Sequence, residues 1–250
     1  MAELLKTLLE PLEEINAYKT VAEDIEREKF PVHISGCIDT QKCHLIYGLS
    51  HSEHWRVIIA SNEIKAREIY DDYKLFDRDV LFYPAKDIIF FGADIQGSAI
   101  STERLKVVDA MLKNDSGTIV TTIDAGLDCI MDSQASKSSR FVIEETDIVN
   151  MDNLEKKLVD MGYERQTQVE KPGDFSVRGG ITDIFPITMD CPVRIEFFDN
   201  EVDTIRAFDV QSQRSIERMD KVEVTPAAEM TLSDEQLKAA LKKIEKEYQK

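Results

Sequence analysis

The sequence predicts an α/β protein in which a domain built on a parallel sheet is followed by a smaller α+β domain with an antiparallel sheet. Up to about residue 132, short apolar segments alternate with amphipathic ones, as in β-α-β units. Residues 162–215 instead alternate apolar with polar residues between Gly, Pro, Asp and Asn, which is typical of antiparallel hairpins. A chain of 250 residues is long enough for two hydrophobic cores.

The first domain is predicted over residues 1–132. Leu and Ile at helical spacing over 3–29 predict a helix that Pro11 kinks or divides in two. Further helices are predicted at 40–49, at 62–76 with Asn62 as N-cap, and at 101–113. Strands are predicted at 32–34, 55–60, 80–82 and 118–123. Because helices lie between most of these strands, we expect them to form a parallel sheet.

The second domain is predicted over residues 133–229. Its elements before the antiparallel region are a polar linker at 133–139, a strand at 141–143 and a helix at 151–161. Residues 230–250 contain a capping-box sequence that begins at Ser233, followed by an amphipathic helix. No C-cap follows this helix, so we expect the chain to continue into a downstream region in the intact protein.

Alternation in the antiparallel region separates core positions from outward positions. The residues predicted to line the core are Phe175, Val177, Val193, Ile195 and Phe197. The same alternation places Arg178, Arg194 and Phe198 on the opposite side of the sheet. This outward phenylalanine, accompanied by two arginines, is the feature of the sequence that most needs an explanation.

Composition excludes several classes of function. Apolar residues make up 42% and charged residues 32% of the chain, as in a soluble globular protein. The formal net charge of −17 argues against a surface that coats DNA, because neutralising phosphates requires clustered Lys and Arg. No apolar run is long enough for a membrane span, and the acidic N-terminus does not resemble a signal peptide. We therefore expect a cytoplasmic protein without membrane contact.

Cysteine and histidine spacing predicts neither a disulfide framework nor a metal site. The four cysteines are scattered over 250 residues. The residues that come closest to a metal-binding cluster in sequence are Cys37, Cys43, His44, His51 and His54. Their spacing matches no zinc-finger or zinc-ribbon pattern, so we predict no bound metal.

The segment from Gly36 to Cys43 resembles a phosphate-binding loop that has lost its function. The pattern G-x-x-x-x-G-K-[ST] is matched by Gly36 and Lys42, but Gln41 replaces the second glycine and Cys43 the hydroxyl residue. A side chain at 41 crowds the phosphate cradle, a thiol is a poor Mg²⁺ ligand, and Asp39 adds repulsive charge. We therefore predict no ATP hydrolysis by this chain, with a nucleotide-dependent helicase domain that binds ATP as the alternative.

Residues 162–229 contain a series of short motifs: Gly162-Tyr163, Gly173-Asp174-Phe175, Val177-Arg178-Gly179-Gly180, Asp183-Ile184-Phe185-Pro186, Arg194-Ile195-Glu196-Phe197-Phe198, Asp203-Thr204-Ile205-Arg206, Phe208-Asp209 and Ser212-Gln213-Arg214-Ser215. In these motifs the region closely resembles the bacterial transcription-repair coupling factors, the Mfd family, and in several of them the excision-repair subunit UvrB. Gly180 and the last of these motifs are more similar to the coupling factors. The resemblance extends more loosely over the whole chain and implies a partial helicase-like first domain with a degenerate Walker A loop.

The resemblance also implies a partner for the second domain. In this family, two arginines and a phenylalanine bind the repair protein UvrA, and they correspond to Arg178, Arg194 and Phe198. Two explanations that need no partner are an ion pair of Arg178 with Glu196 or Asp183, and packing of Phe198 against Phe208. With the resemblance, we favour a surface that binds UvrA.

For the rest of the protein, the resemblance implies a role in transcription-coupled nucleotide excision repair. The family recruits UvrA to RNA polymerase stalled at DNA damage. Its polymerase-binding module and ATP-driven DNA translocase, with their ATP and Mg²⁺, are expected outside this chain, which is therefore predicted to be non-enzymatic. The DNA-probing hairpin of UvrB has no room between Pro84 and Ser101. A downstream domain is expected to mask the UvrA-binding face until the motor acts.

Overall fold

The computed structural model describes residues 2–50, 54–86, 94–128, 139–229 and 234–248. The helices, in chain order, are α1 (Ala2–Glu13), α2 (Asn16–Glu26), α3 (Asp39–Ser50), α4 (Glu63–Tyr73), α5 (Asp94–Lys113), α6 (Ile123–Leu127), α7 (Met151–Asp160) and α8 (Asp234–Tyr248). The strands are β1 (Trp55–Ala60), β2 (Leu81–Tyr83), β3 (Gly117–Thr122), β4 (Phe141–Glu144), β5 (Glu164–Arg165), β6 (Asp174–Arg178), β7 (Ile181–Ile184), β8 (Val193–Phe198), β9 (Glu201–Phe208), β10 (Ser215–Met219) and β11 (Lys221–Val224).

The chain divides into two compact units, and the first contains residues 1–87 and 113–128. Its sheet has the order β1-β3-β2, and both pairings are parallel, as predicted. Ile58, Val120 and Phe82 lie in register across the sheet and belong to one buried cluster with residues of α3 and α4. The α4 helix begins where the sequence predicts, because the Asn62 side chain accepts a hydrogen bond from the Lys65 amide at 2.9 Å.

The strand predicted at residues 32–34 is wrong. This segment is irregular and does not belong to the parallel sheet, and the side chains of His33 and Ile34 are exposed. A strand of a parallel sheet is normally buried on both sides, which three residues with a histidine at the centre do not achieve. The prediction of two short helices at the N-terminus is confirmed, but the break falls after α1 and Pro11 lies inside that helix.

The second unit contains residues 88–112 and 129–250 and is built on a six-stranded sheet. The strand order is β10-β9-β8-β7-β6-β5, and every pairing from β6 to β10 is antiparallel, as predicted. Strands β4 and β11 form a separate antiparallel pair. The side of the large sheet that carries Phe175, Val193 and Ile195 is buried in one cluster with Leu158 of α7. The predicted assignment of core and outward positions is therefore confirmed for these residues.

Helix α5 falls in a different unit from the one the sequence indicates. The sequence predicts a first domain that ends at residue 132, whereas residues 94–112 are grouped with the second unit. Ion pairs within that unit account for this: the buried Arg104 donates from Nε to Glu229 at 2.9 Å, and Asp109 pairs with Arg140 at 3.2 Å. The predicted start of this helix at 101 is also seven residues late, since the helix begins at Asp94.

Two sequence predictions cannot be compared with the fold. Nearly all of the predicted linker at 133–139 lies outside the described residues, and so does Ser233 of the predicted capping box. The helix expected after Ser233 is α8, and its apolar residues Leu237, Leu241 and Ile244 are exposed on one face.

Candidate functional site

Arg178, Arg194 and Phe198 lie on the side of the six-stranded sheet that faces away from its buried cluster, which we call the outer face. Arg178 is the last residue of β6, opposite Ile181 of β7, and Ile181 is opposite Glu196 of β8. Arg194 and Phe198 flank Glu196 at two residues on either side of it. Because side chains two apart in a strand share a face, the three predicted residues occupy neighbouring positions.

One carboxylate holds both arginines. Arg178 Nη2 donates to Asp183 Oδ2 at 2.6 Å, while Arg194 donates from Nε to Oδ1 at 2.7 Å and from Nη2 to Oδ2 at 2.9 Å. Asp183 lies opposite Arg194 in the β7–β8 register, and only 2% of its side chain is exposed. Charge-assisted and bidentate hydrogen bonds of this kind are among the strongest in proteins, so the carboxylate fixes the direction of both guanidinium groups.

Arg194 has further contacts that restrict it. Its Cζ atom lies 4.5 Å from the centre of the Phe208 ring, and its Nη2 donates to Gln213 Oε1 at 3.1 Å. Gln213 lies in the loop between β9 and β10 and has a φ of 58°, in the left-handed region. The hydrogen bonds to Asp183 raise the pKa of the Arg194 guanidinium, so it remains charged. Asp183, Gln213 and Phe208 therefore hold the Arg194 side chain in place, whereas the Arg178 side chain remains 49% exposed.

Phe198 is the last residue of β8, and no other described part of the second unit covers its ring. Its exposure is 79%, whereas Phe208 is almost fully buried, so packing of the two rings against each other is wrong as an explanation of Phe198. Gly180 allows the turn between β6 and β7 to lie close to the backbone of β8. Its carbonyl accepts a hydrogen bond from the Phe197 amide at 2.8 Å, and a Cβ atom at this position would lie 3.0 Å from the Phe197 carbonyl oxygen. Asp199, with φ of 59°, then turns the chain into β9.

The three outward residues could be identified from the sequence, but the groups that orient them could not. Asp183 was predicted only as one of two partners for Arg178, and neither Asp183 nor Gln213 was predicted to contact Arg194. The available signal for Asp183 was a charged residue within the short strand β7, next to the apolar Ile184. The contact of Gln213 depends on the conformation of a loop, and pattern alone does not reveal it.

The segment predicted to be a degenerate phosphate loop, from Gly36 to Cys43, leads into α3, which begins at Asp39. Lys42 Nζ donates to Asp39 Oδ1 at 2.7 Å, and Lys65 approaches the other oxygen of Asp39 at 3.3 Å. These hydrogen bonds lower the pKa of the Asp39 carboxyl, so a negative charge is kept at the start of α3. The start of a helix is where a phosphate would otherwise bind, and here a carboxylate of the chain already occupies that electrostatic role.

Cys43 faces the core of the first unit. Only 1% of it is exposed, and its Sγ atom lies 3.9 Å from the Ile69 carbonyl oxygen. Burial raises the pKa of this thiol, which disfavours the thiolate form that binds metals. Gln41 remains at the helix start, where its Oε1 lies 3.5 Å from the Ile38 amide.

Two wider features of the described residues bear on function. The described residues contain no group of three or more His, Cys, Asp or Glu side chains placed to hold a metal ion. His51, one of the residues that come closest to a metal-binding cluster in sequence, lies outside the described residues. No helix in the described ranges is both long and apolar enough to cross a membrane.

The second unit contains the part of the chain that matches a known family model. Residues 141–230 match the family model of the UvrB interaction domain. The transcription-repair-coupling factor of Bacillus subtilis is 36% identical over 190 residues, which cover 75% of this chain and 16% of that protein. The protein of the same name from Staphylococcus epidermidis is 29% identical over 241 residues, covering 95% of this chain and 20% of the relative.

The chain thus spans a fifth or less of the length of these curated relatives. The matched residues include all six strands of the large sheet, and therefore its whole outer face, as well as Gln213. Together these similarities show that the chain belongs to the transcription-repair-coupling factor family and represents its N-terminal, UvrB-like region.

Proposed function

We propose that the second unit binds UvrA through the outer face formed by Arg178, Arg194 and Phe198. In the intact protein, this contact recruits UvrA to RNA polymerase stalled at DNA damage, and so initiates transcription-coupled nucleotide excision repair. Polymerase and DNA are contacted by regions outside this chain, and the protein acts in the cytoplasm. The observation that carries the proposal is the 79% exposed Phe198 beside two arginines that share one buried carboxylate.

The outer face has the physical properties of a protein-binding hot spot. An exposed aromatic ring offers apolar area for burial, and arginine offers donors for carboxylates or carbonyls of a partner. Because Asp183 and Phe208 already restrict Arg194, little conformational entropy is lost when a partner binds it. The more exposed Arg178 retains donors that are directed toward solvent.

Single alanine substitutions at Arg178, Arg194 and Phe198 are expected to weaken UvrA binding by about 2 kcal/mol each, roughly 30-fold. The loss follows from truncating residues at the centre of the contact. Isothermal titration calorimetry of each variant against UvrA measures it. Arg165→Ala provides a matched control, because Arg165 lies on β5 at the far edge of the same sheet and pairs with Glu155. Binding of all three variants at wild-type affinity would rule out this face as the site.

We further propose that the chain is a binding module without nucleotide-dependent activity, with ATP and Mg²⁺ used only by a region outside it. Support comes from Lys42, whose amine is paired with Asp39, and from Cys43, which lies in the core where a Mg²⁺-binding hydroxyl would be needed.

Addition of Mg-ATP at millimolar concentration is accordingly expected to leave the melting temperature of the chain unchanged. A ligand present at 100 times its Kd would stabilise the folded state by about 2.7 kcal/mol, which corresponds to several degrees. Differential scanning fluorimetry provides the measurement, with Lys42→Ala as the comparison. A shift of several degrees that disappears in Lys42→Ala would instead support the alternative, a nucleotide-dependent helicase domain.

A further inference from the structure

A row of three arginines crosses the outer face from Arg194 to Arg218. Arg194 of β8 lies opposite Arg206 of β9, and Arg206 lies opposite Arg218 of β10. We propose that this arginine row, with Arg206 at its centre, extends the UvrA-binding face and receives a carboxylate-bearing segment of UvrA. The inference rests on the proposed function, and it adds Arg206 as a determinant of affinity.

Like charges directly opposite each other on neighbouring strands are destabilising, so each arginine in the row needs compensation. Asp183 supplies it for Arg194. Glu145 supplies it for Arg218 through two hydrogen bonds, from Nε to Oε1 at 3.0 Å and from Nη2 to Oε2 at 3.1 Å. The two ends of the row are therefore held by bidentate ion pairs within the unit.

Arg206 has a weaker partner. The ion pair that the structure shows for it runs from Nη2 to Glu196 Oε2 at 3.8 Å, and that oxygen also accepts a hydrogen bond from Thr204 Oγ1 at 3.0 Å. The Arg206 side chain is 40% exposed, twice the value for Arg194. Because this contact is longer than a hydrogen bond and its oxygen is shared with Thr204, Arg206 is less strongly paired than the two arginines beside it. An external carboxylate would complete its compensation.

The geometry favours a protein segment as the ligand. Strands in a sheet lie about 4.8 Å apart, so the row spans roughly 10 Å across β8, β9 and β10. That length suits one or two carboxylates on a segment that crosses the strands. Glu145, Glu196 and Glu201 lie on or beside the same face, and the chain has a net charge of −17, which disfavours the continuous negative charge of a nucleic acid.

The test compares UvrA binding by Arg206→Glu, Arg206→Gln and Arg165→Glu in the 250-residue chain at low and high salt. We expect Arg206→Glu to weaken binding about tenfold at 0.1 M salt, mainly through slower association, and Arg206→Gln to weaken it by less. Arg165→Glu changes the net charge equally but lies at the opposite edge of the sheet, in register with the buried Phe175, and is expected to bind normally.

The outcomes separate this inference from the proposed function when Phe198→Ala is measured in parallel. If Phe198→Ala loses binding while both Arg206 variants match the wild type, the site does not extend along the row beyond Arg194, and the proposed function stands. If Arg206→Glu and Arg165→Glu lose equal affinity for UvrA, the loss comes from the change in net charge alone, and the inference is overturned. Normal binding by both Arg206 variants and by the Arg178→Ala, Arg194→Ala and Phe198→Ala variants would overturn both proposals. Salt-dependent binding of the chain to DNA that Arg206→Glu removes would assign the row to nucleic acid instead.

Discussion

Replacement of Phe175 by alanine is expected to lower the free energy of unfolding of the second unit by about 3–5 kcal/mol. Phe175 is fully buried, and it lies opposite Ile184 of β7 within the cluster that includes Leu158. Removing the ring takes away its transfer free energy and leaves a cavity that rigid β-strands cannot close. A loss of this size is comparable to the whole stability of many domains.

Phe198 provides the matched comparison, because it is the same residue type on the same sheet. With 79% exposure, its replacement by alanine is expected to change stability by less than about 0.5 kcal/mol. Urea unfolding combined with hydrogen exchange of the β6, β7 and β8 amides measures both variants. The expected result is one variant that unfolds readily and one that is stable but deficient in UvrA binding. Equal stability of the two variants would contradict the assignment of inner and outer faces.

That assignment could be made from the sequence because a strand has a period of two residues. Phe175 and Arg178 are on opposite sides in the pattern and in the structure, since Phe175 is fully buried and the Arg178 side chain is 49% exposed. The same rule failed at residues 32–34, where three residues are too few to distinguish a strand from an extended loop. Membership of α5 in the second unit was equally inaccessible, since it involves the contact of Arg104 with Glu229, 125 residues away.

The residues of the candidate site could be predicted from the sequence, but the contacts that hold them in place could not. Alternation and the family resemblance together identified Arg178, Arg194 and Phe198. The register that places Asp183 opposite Arg194 depends on the exact loop between β7 and β8, which periodicity does not determine. Pairing of Arg206 with both Arg194 and Arg218 depends in the same way on β-bulges in the β8–β9 and β9–β10 ladders.

Replacement of Asp183 by alanine is expected to affect both stability and binding. The side chain is 2% exposed and compensates two arginines, so its loss leaves Arg194 as a largely buried cation without its carboxylate. Removing one member of a buried ion pair costs 3–5 kcal/mol, and we expect about 2–3 kcal/mol here because Arg178 and Arg194 are partly hydrated. Urea unfolding of Asp183→Ala measures the loss.

A double-mutant cycle with Arg194→Ala separates the ion pair from the rest of the effect. Because the carboxylate is costly to bury without its main partner, Asp183→Ala should destabilise the Arg194→Ala variant much less than the wild type, with a coupling of about 1–3 kcal/mol. In the folded state at low temperature, Asp183→Ala should also bind UvrA more weakly, since Arg178 and Arg194 lose the group that orients them. Additive stability changes together with unchanged UvrA affinity would show that Asp183 neither pairs with Arg194 in solution nor organises the outer face.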